Sequence, residues 1–134
     1  MTLPSIVRIA NQGDEPGILD LCWLAHGERS ERSLNKAKVQ TMVRSCLTGQ
    51  CGMIGIVEVA TDVRAMVGLI VSSAWCSDDL ELHDWLVFVR PDCRHLRYLT
   101  PLLAFAKQQS IRLNLPLWMG FIGDDRAEAK ARAY

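Results

Sequence analysis

The five apolar residues 85–89, with the sequence WLVFV, constrain the fold of this chain more than any other segment. An unbroken apolar run of this length predicts a buried strand. Pro91 ends the strand, because proline has no N–H group for a hydrogen bond to a neighbouring strand. Asp92 then offers a side-chain oxygen to a turn or to the start of a helix.

Three basic residues follow this strand: Arg94, His95 and Arg97. The apolar spacing beyond them predicts a helix over residues 97–112, and Pro101 is tolerated only in its first turn. The N–H groups at the start of that helix, together with the neighbouring basic side chains, favour an anion such as phosphate. The segment therefore predicts a buried strand, a tight turn and an anion-binding helix start in direct succession.

Apolar spacing and turn residues predict the other helices and strands. In chain order they are a strand over 6–10, a helix capped by Asp14, a polar loop over 27–35, a helix capped by Ser33 or Asn35, a strand over 53–60, a turn at 61–64, strands over 65–75, 80–89 and 117–122, and a last helix over 126–134. Strands 53–60 and 65–75 should form an antiparallel hairpin, and Gly68 inside the second strand suggests a bulge or close packing. The helix that joins strands 80–89 and 117–122 implies that these two are parallel.

Length and composition limit the class of protein. A chain of 134 residues with 49% hydrophobic content predicts one domain over residues 1–134. The balance of 15 basic against 15 acidic residues argues against nucleic-acid binding by bulk charge. No signal peptide or membrane span is apparent, and an odd number of cysteines without C-x-x-C spacing predicts reduced thiols in the cytoplasm.

The segment 89–94, which reads V-x-P-D-x-R, resembles the end of the fourth strand in the GNAT superfamily of N-acetyltransferases. In that family an arginine or glutamine opens a glycine-rich loop that holds the pyrophosphate of acetyl-coenzyme A. Arg94 stands at the arginine position here, and Arg97 and Leu99 stand where the family has glycine or alanine. The resemblance implies an α/β fold with a mixed, mostly antiparallel sheet and helices on both faces.

The resemblance also implies an activity, namely transfer of an acetyl group from acetyl-coenzyme A to an amine of a small molecule or a protein. Backbone N–H groups around Phe88 and Val89 would bind the thioester carbonyl. The last helix resembles the one whose tyrosine protonates the departing thiolate, and Tyr134 is at that position. Glu81 and His83, which share one face of the strand, are the candidate general bases. The residues implied to contact the coenzyme are Val87, Phe88, Val89, Arg94, His95, Leu96, Arg97, Tyr98 and Leu99.

Other functions remain open from the sequence. The main alternative is a catalytically inactive GNAT-like protein that binds a protein partner, as some compact bacteriophage members of the fold do. A zinc site built from Cys76, His83, Cys93 and His95 matches no common ligand spacing, so no metal is expected. Neither G-x-G-x-x-G after the first strand nor G-x-S-x-G is present. An exposed sheet edge favours a homodimer.

Overall fold

The structure is a computed structural model that describes residues 6–28 and 33–120. Its longer elements are β1 (Val7–Ile9), α1 (Glu15–Glu28), α2 (Lys36–Leu47), β2 (Gly52–Val59), β3 (Asp62–Ser73), β4 (Leu80–Val89), α3 (Leu99–Leu113) and β5 (Leu117–Trp118). Two short 3₁₀ helices precede α1 and α3, at Gln12–Asp14 and Pro91–Leu96 respectively. Residues 121–134 lie outside the described part of the chain, and so do the predicted last helix and Tyr134.

The five strands form one sheet in the order β1-β2-β3-β4-β5. Neighbouring strands are antiparallel except for β4 and β5, which are parallel and joined through α3. The antiparallel hairpin and the parallel pair that the apolar patterns predicted are therefore confirmed, and so is the mixed, mostly antiparallel sheet that the resemblance implied. In the part of the chain that the structure describes, no helix is long and apolar enough to cross a membrane.

Each face of the sheet has its own core. Met66 and Val67 are consecutive on β3 and fully buried, and they point into different cores because side chains alternate along a strand. Val67 packs in the core that α3 closes, with Leu102 and Phe105. Met66 packs in the other core, which α1 and α2 close and which contains Phe88. Helices thus cover both faces of the sheet, as predicted.

Gly68 lies both at a bulge and in close packing, the two possibilities predicted for it, and the bulge belongs to the pairing of β3 with β4. The pairing of β3 with β4 shifts between Gly68 and Leu69, and Trp85 is the additional residue on β4. A Cβ atom on Gly68 would lie 2.2 Å from Cε2 of Trp85, so no larger side chain fits beneath the indole ring. The bulge therefore depends on a glycine and a tryptophan together.

Two details of the chain turns differ from the sequence predictions. Asn11, and not Asp14, is the residue whose side chain caps the helical start, since it accepts a hydrogen bond from Gly13 N. Asp14 is buried and accepts two hydrogen bonds of 2.9 Å from Arg8, which lowers the pKa of its carboxyl group.

The hairpin between β2 and β3 turns one residue earlier than predicted. Ala60 and Thr61 form it, with φ angles of 51° and 69°. Their left-handed conformation is uncommon for residues with side chains, and the predicted turn accordingly included Thr61 but left Ala60 in the strand. Asn35 caps α2 as expected, accepting from Lys38 N at 3.0 Å.

Candidate functional site

Among the described residues, no strand pairs with residues 86–89 of β4 on the side away from β3, and we call this side of the strand the gap. Strands β4 and β5 pair only at Leu82 with Leu117 and at His83 with Trp118. One residue further on, the Asp84 carboxylate takes the place of a strand partner and accepts the Gly120 N–H at 2.7 Å. Within the described residues, positions 86–89 of β4 therefore pair with β3 alone.

The backbone of this half of β4 presents N–H groups to the gap. Arg90 N donates to Arg64 O in line with the ladder between β4 and β3. Because hydrogen bonding alternates along an antiparallel strand, the Phe88 N–H faces β3, and the N–H groups of Val87 and Val89 face the gap. Of the three strand residues predicted to contact the coenzyme, Val87 and Val89 place their N–H groups where a carbonyl could accept them. Phe88 contributes a buried ring.

The loop after β4 contains a left-handed backbone conformation, which is typical of glycine, at a residue that is not glycine. Arg97 ends the second 3₁₀ helix in the left-handed conformation, with φ 57° and ψ 44°, which costs a non-glycine residue about 1 kcal/mol. Leu99 is only 4% exposed and packs in the core under α3. Neither substitution therefore removes the turn that brings the chain to the start of α3, and Leu99 does not occupy the outer side of the loop.

The start of α3 has donors available for an anion. The N–H groups of Tyr98, Leu99 and Thr100 have no backbone acceptor within residues 6–28 and 33–120, and no side chain caps the helix. Pro101, in the first turn as predicted, has no N–H group to offer. A 15-residue helix adds the positive end of its dipole at this point.

Arg94 is held within the protein and does not extend from the loop. Its Nε atom donates to Val89 O at 3.2 Å, and its Nη2 atom lies 2.7 Å and 2.6 Å from the two carboxylate oxygens of Glu28. Its guanidinium group also lies 5.4 Å from the centre of the Phe88 ring. Arg94 thereby connects the end of β4 with the end of α1, while His95 and Leu96 beside it are exposed.

The two candidate bases lie together but away from this loop. His83 Nε2 is 3.0 Å from the Glu81 carboxylate, on the half of β4 that pairs with both neighbours. His83 precedes Val87 by four residues, which is about 13 Å along a strand. The structure thus pairs Glu81 with His83, and a chain of water molecules would be needed to connect either of them with the gap.

A cavity of about 270 Å³ borders the open half of β4 on the side of α1 and α2. Its walls are mostly apolar and include Cys22, Trp85 and Phe88, and its titratable groups include His26 and Glu28. Burial raises the pKa of the Cys22 thiol to about 11, so this thiol stays protonated at neutral pH. The sequence predicted a polar loop over 27–35, but α1 continues through Glu28, and the sequence singled out neither His26 nor Glu28 as a site residue.

The described residues contain no group of three His, Cys, Asp or Glu side chains able to hold a metal ion. Of the four residues considered for zinc, Cys93 is buried, while Cys76 is exposed in the turn before β4. His83 already binds Glu81.

No protein-family model matches the sequence, and no curated protein matches it. Solved structures do match its fold. An integron cassette protein from the mobile metagenome of Cole Harbour Salt Marsh has a TM-score of 0.76 and 20% identity, over 94% of this chain and 81% of that chain. A GNAT family acetyltransferase of Staphylococcus aureus has a TM-score of 0.66 and 15% identity, over 91% and 88%.

A third match is a predicted acetyltransferase of Clostridium acetobutylicum, solved with acetyl-CoA. It has a TM-score of 0.71 and 10% identity, over 84% of this chain and 78% of that chain. At such identities the likeness concerns the fold alone. The order of the strands, the parallel pair β4–β5 and these structural matches together establish that the chain has the fold of the GNAT acetyltransferases.

Proposed function

We propose that this protein is an N-acetyltransferase that moves an acetyl group from acetyl-coenzyme A to an amine. The observation that carries the proposal is the gap beside residues 86–89, where Val87 and Val89 present N–H groups close to the start of α3. Strand N–H groups suit a thioester carbonyl, and helix N–H groups suit the phosphates of the same molecule.

The reaction needs three contributions from the protein. The amine nitrogen attacks the thioester carbon, and the N–H groups of Val87 and Val89 stabilise the negative charge on the carbonyl oxygen. The carbon–sulfur bond then breaks, and the coenzyme leaves as a thiolate that Tyr134 protonates. Glu81 or His83, through water, accepts the proton that the amine loses.

In this proposal the coenzyme phosphates lie against the loop from Arg94 to Leu99. The N–H groups of Tyr98 and Leu99 bind them, and the exposed side chains of His95 and Arg97 add positive charge. The exposed Leu96 would contact the apolar part of the coenzyme. The amine enters through the cavity between α1 and β4, which borders the same strand half.

We further propose that the chain forms one domain over residues 1–134, works in the cytoplasm and pairs as a homodimer. The described sheet ends at the short strand β5, which carries Trp118, and this side chain is 58% exposed. An open edge of this kind pairs readily with another chain. Light scattering of the purified protein measures the oligomeric state.

Calorimetric titration with acetyl-coenzyme A tests the proposed activity at its first step. We expect binding by the wild-type protein and at least about tenfold weaker binding by Arg94→Ala, since charged hydrogen bonds to phosphate contribute about 1.5–3 kcal/mol each. Arg44→Ala is the matched control, because Arg44 also pairs with a glutamate of α1, at 2.6 Å, but lies on α2.

Absence of binding at millimolar acetyl-coenzyme A would overturn the enzyme proposal. It would favour the alternative of an inactive GNAT-like protein that binds a partner. The exposed apolar side chains near the start of β4 support that alternative, because Trp75 is 98% and Leu80 54% exposed. A pull-down comparing wild-type protein with Trp75→Ala would then test whether this surface binds another protein.

A further inference from the structure

Glu28 belongs to two sites at once. Its carboxylate binds Arg94, which opens the loop at the end of β4, and the same residue lines the cavity between α1 and β4. The two residues are 66 positions apart in the chain, so tertiary folding alone brings them together. A change in this ion pair therefore alters both the loop after β4 and the lining of the cavity.

The guanidinium group of Arg94 lies where a coenzyme would compete for it. Its Nε atom bonds to Val89 O, which faces the gap as the Val89 N–H does. A carboxylate and a phosphate both accept paired hydrogen bonds from the same edge of a guanidinium group. A phosphate bound to the loop therefore offers Arg94 an alternative to the carboxylate of Glu28.

The cavity would give a released Glu28 a new role. Among the described residues that line it, Glu28 is the one carboxylate, and most of its other walls are apolar. A carboxylate at the mouth of an apolar cavity suits one ammonium group attached to an apolar body. Such a cavity fits a polycation poorly, because its further charges would face no counter-charge.

We propose that acetyl-coenzyme A and Glu28 compete for Arg94, and that the displaced Glu28 binds the ammonium group of a primary amine with an apolar body. This inference rests on the proposed acetyl transfer and adds an order to it. The coenzyme binds first and thereby completes the acceptor site. Before the coenzyme binds, the ion pair with Arg94 keeps Glu28 from binding the amine, and it lowers the affinity of the loop for phosphate.

The second ion pair of α1 provides a matched control. Glu15 binds Arg44 at 2.6 Å at the start of the helix, whereas Glu28 binds Arg94 at 2.6 Å at its end. The two glutamates are 13 residues apart, or about 20 Å along the helix axis. A general effect of removing a charge from α1 would appear in both variants, and competition at Arg94 would appear in one.

The test is titration of acetyl-coenzyme A into wild-type protein, Glu28→Gln and Glu15→Gln. We expect Glu28→Gln to bind the coenzyme about threefold to fivefold more tightly, since partly exposed ion pairs of this kind contribute modestly. Glu15→Gln should bind like the wild type. Unchanged or weaker binding by Glu28→Gln, with normal binding by the wild type, overturns the inference and leaves the proposed activity intact.

Absence of binding by all three proteins overturns both proposals. A second readout concerns the amine. Coenzyme-loaded wild-type protein should acetylate 2-phenylethylamine at millimolar concentration in preference to spermidine, and Glu28→Gln should raise the KM for 2-phenylethylamine while it lowers the Kd for the coenzyme. Opposite changes in these two constants separate competition from a structural role of the pair. Preference for spermidine, or no acetylation of 2-phenylethylamine, overturns the assignment of Glu28 to the acceptor.

Discussion

The two halves of β4 differ in their neighbours although they belong to one strand. Residues 80–84 pair with β3 on one side, and Leu82 and His83 among them also pair with β5, whereas residues 86–89 pair with β3 alone among the described residues. The bulge at Trp85 and the hydrogen bond from Gly120 to Asp84 mark the change from one half to the other. Leu82 and His83 in the first half have strand partners on both sides, whereas the N–H groups of Val87 and Val89 in the second half have no strand acceptor among the described residues.

Proline substitutions give the largest expected difference between donors within the open half. Leu86→Pro removes an N–H group that faces β3, and we expect the protein to lose its folded state. Val87→Pro removes the neighbouring N–H group, which faces the gap and has no strand partner within residues 6–28 and 33–120. We expect this variant to fold and to lose about 100-fold or more in acetyl transfer, the usual effect of removing one oxyanion donor.

Circular dichroism and activity with acetyl-coenzyme A measure these two outcomes. Equal folding of the two variants would show that the ladder does not alternate as described. Unchanged activity of a folded Val87→Pro variant would show that the Val87 N–H takes no part in the reaction.

Replacement of Gly68 tests whether the packing of Trp85 on Gly68 stabilises the bulge between the two halves of β4. Gly68→Val places a Cβ atom 2.2 Å from the Trp85 ring, so the indole has to move or the strands have to separate. We expect a loss of about 3 kcal/mol in the free energy of unfolding, at the upper end of the overpacking range. Gly27→Ala is the control, since its added Cβ would meet no atom within 4 Å, and urea denaturation measures both.

A Gly68→Val variant as stable as the wild type would mean that Trp85 has room to turn away. A large loss in Gly27→Ala would mean that the end of α1 tolerates no change of backbone preference. Alanine normally stabilises a helix relative to glycine by about 1 kcal/mol, so the two substitutions should change stability in opposite directions.

The sequence predicted the strands and helices around β4 better than it predicted the contacts of the candidate site. The apolar run before Pro91 and the helical spacing after it are local patterns, and they gave β4, α3 and the parallel strand β5. Pro101 and Gly68 were likewise informative, because proline and glycine restrict or extend the backbone conformations available at their own positions. Such features need no knowledge of distant residues, which is why a single sequence revealed them.

The parts that the sequence did not predict depend on contacts across the fold. The ion pair between Glu28 and Arg94 spans 66 residues and has no local pattern. The left-handed conformation of Arg97 also had no signal, because an arginine is an unusual residue for it. The sequence indicated that Arg94 binds an anion, and it suggested a phosphate. In the structure, the Arg94 side chain binds the carboxylate of Glu28.

The smallest predicted effect concerns the hydrogen bond between Asp84 and Gly120, which lies where the two halves of β4 meet. Asp84→Ala removes the acceptor of the Gly120 N–H, and we expect a loss of about 1 kcal/mol in the free energy of unfolding. Asp84→Asn keeps an oxygen that accepts the same N–H and should lose less. Hydrogen exchange at the Gly120 amide should be faster in Asp84→Ala than in the wild type, with exchange at the Leu82 amide, which donates to Pro116 O, much less affected. If both amides exchanged equally faster, β4 and β5 would open as one unit, and the gap would begin before Asp84. A faster Gly120 amide alone would locate the start of the gap at Asp84, because only the contact beyond the paired half would have been released.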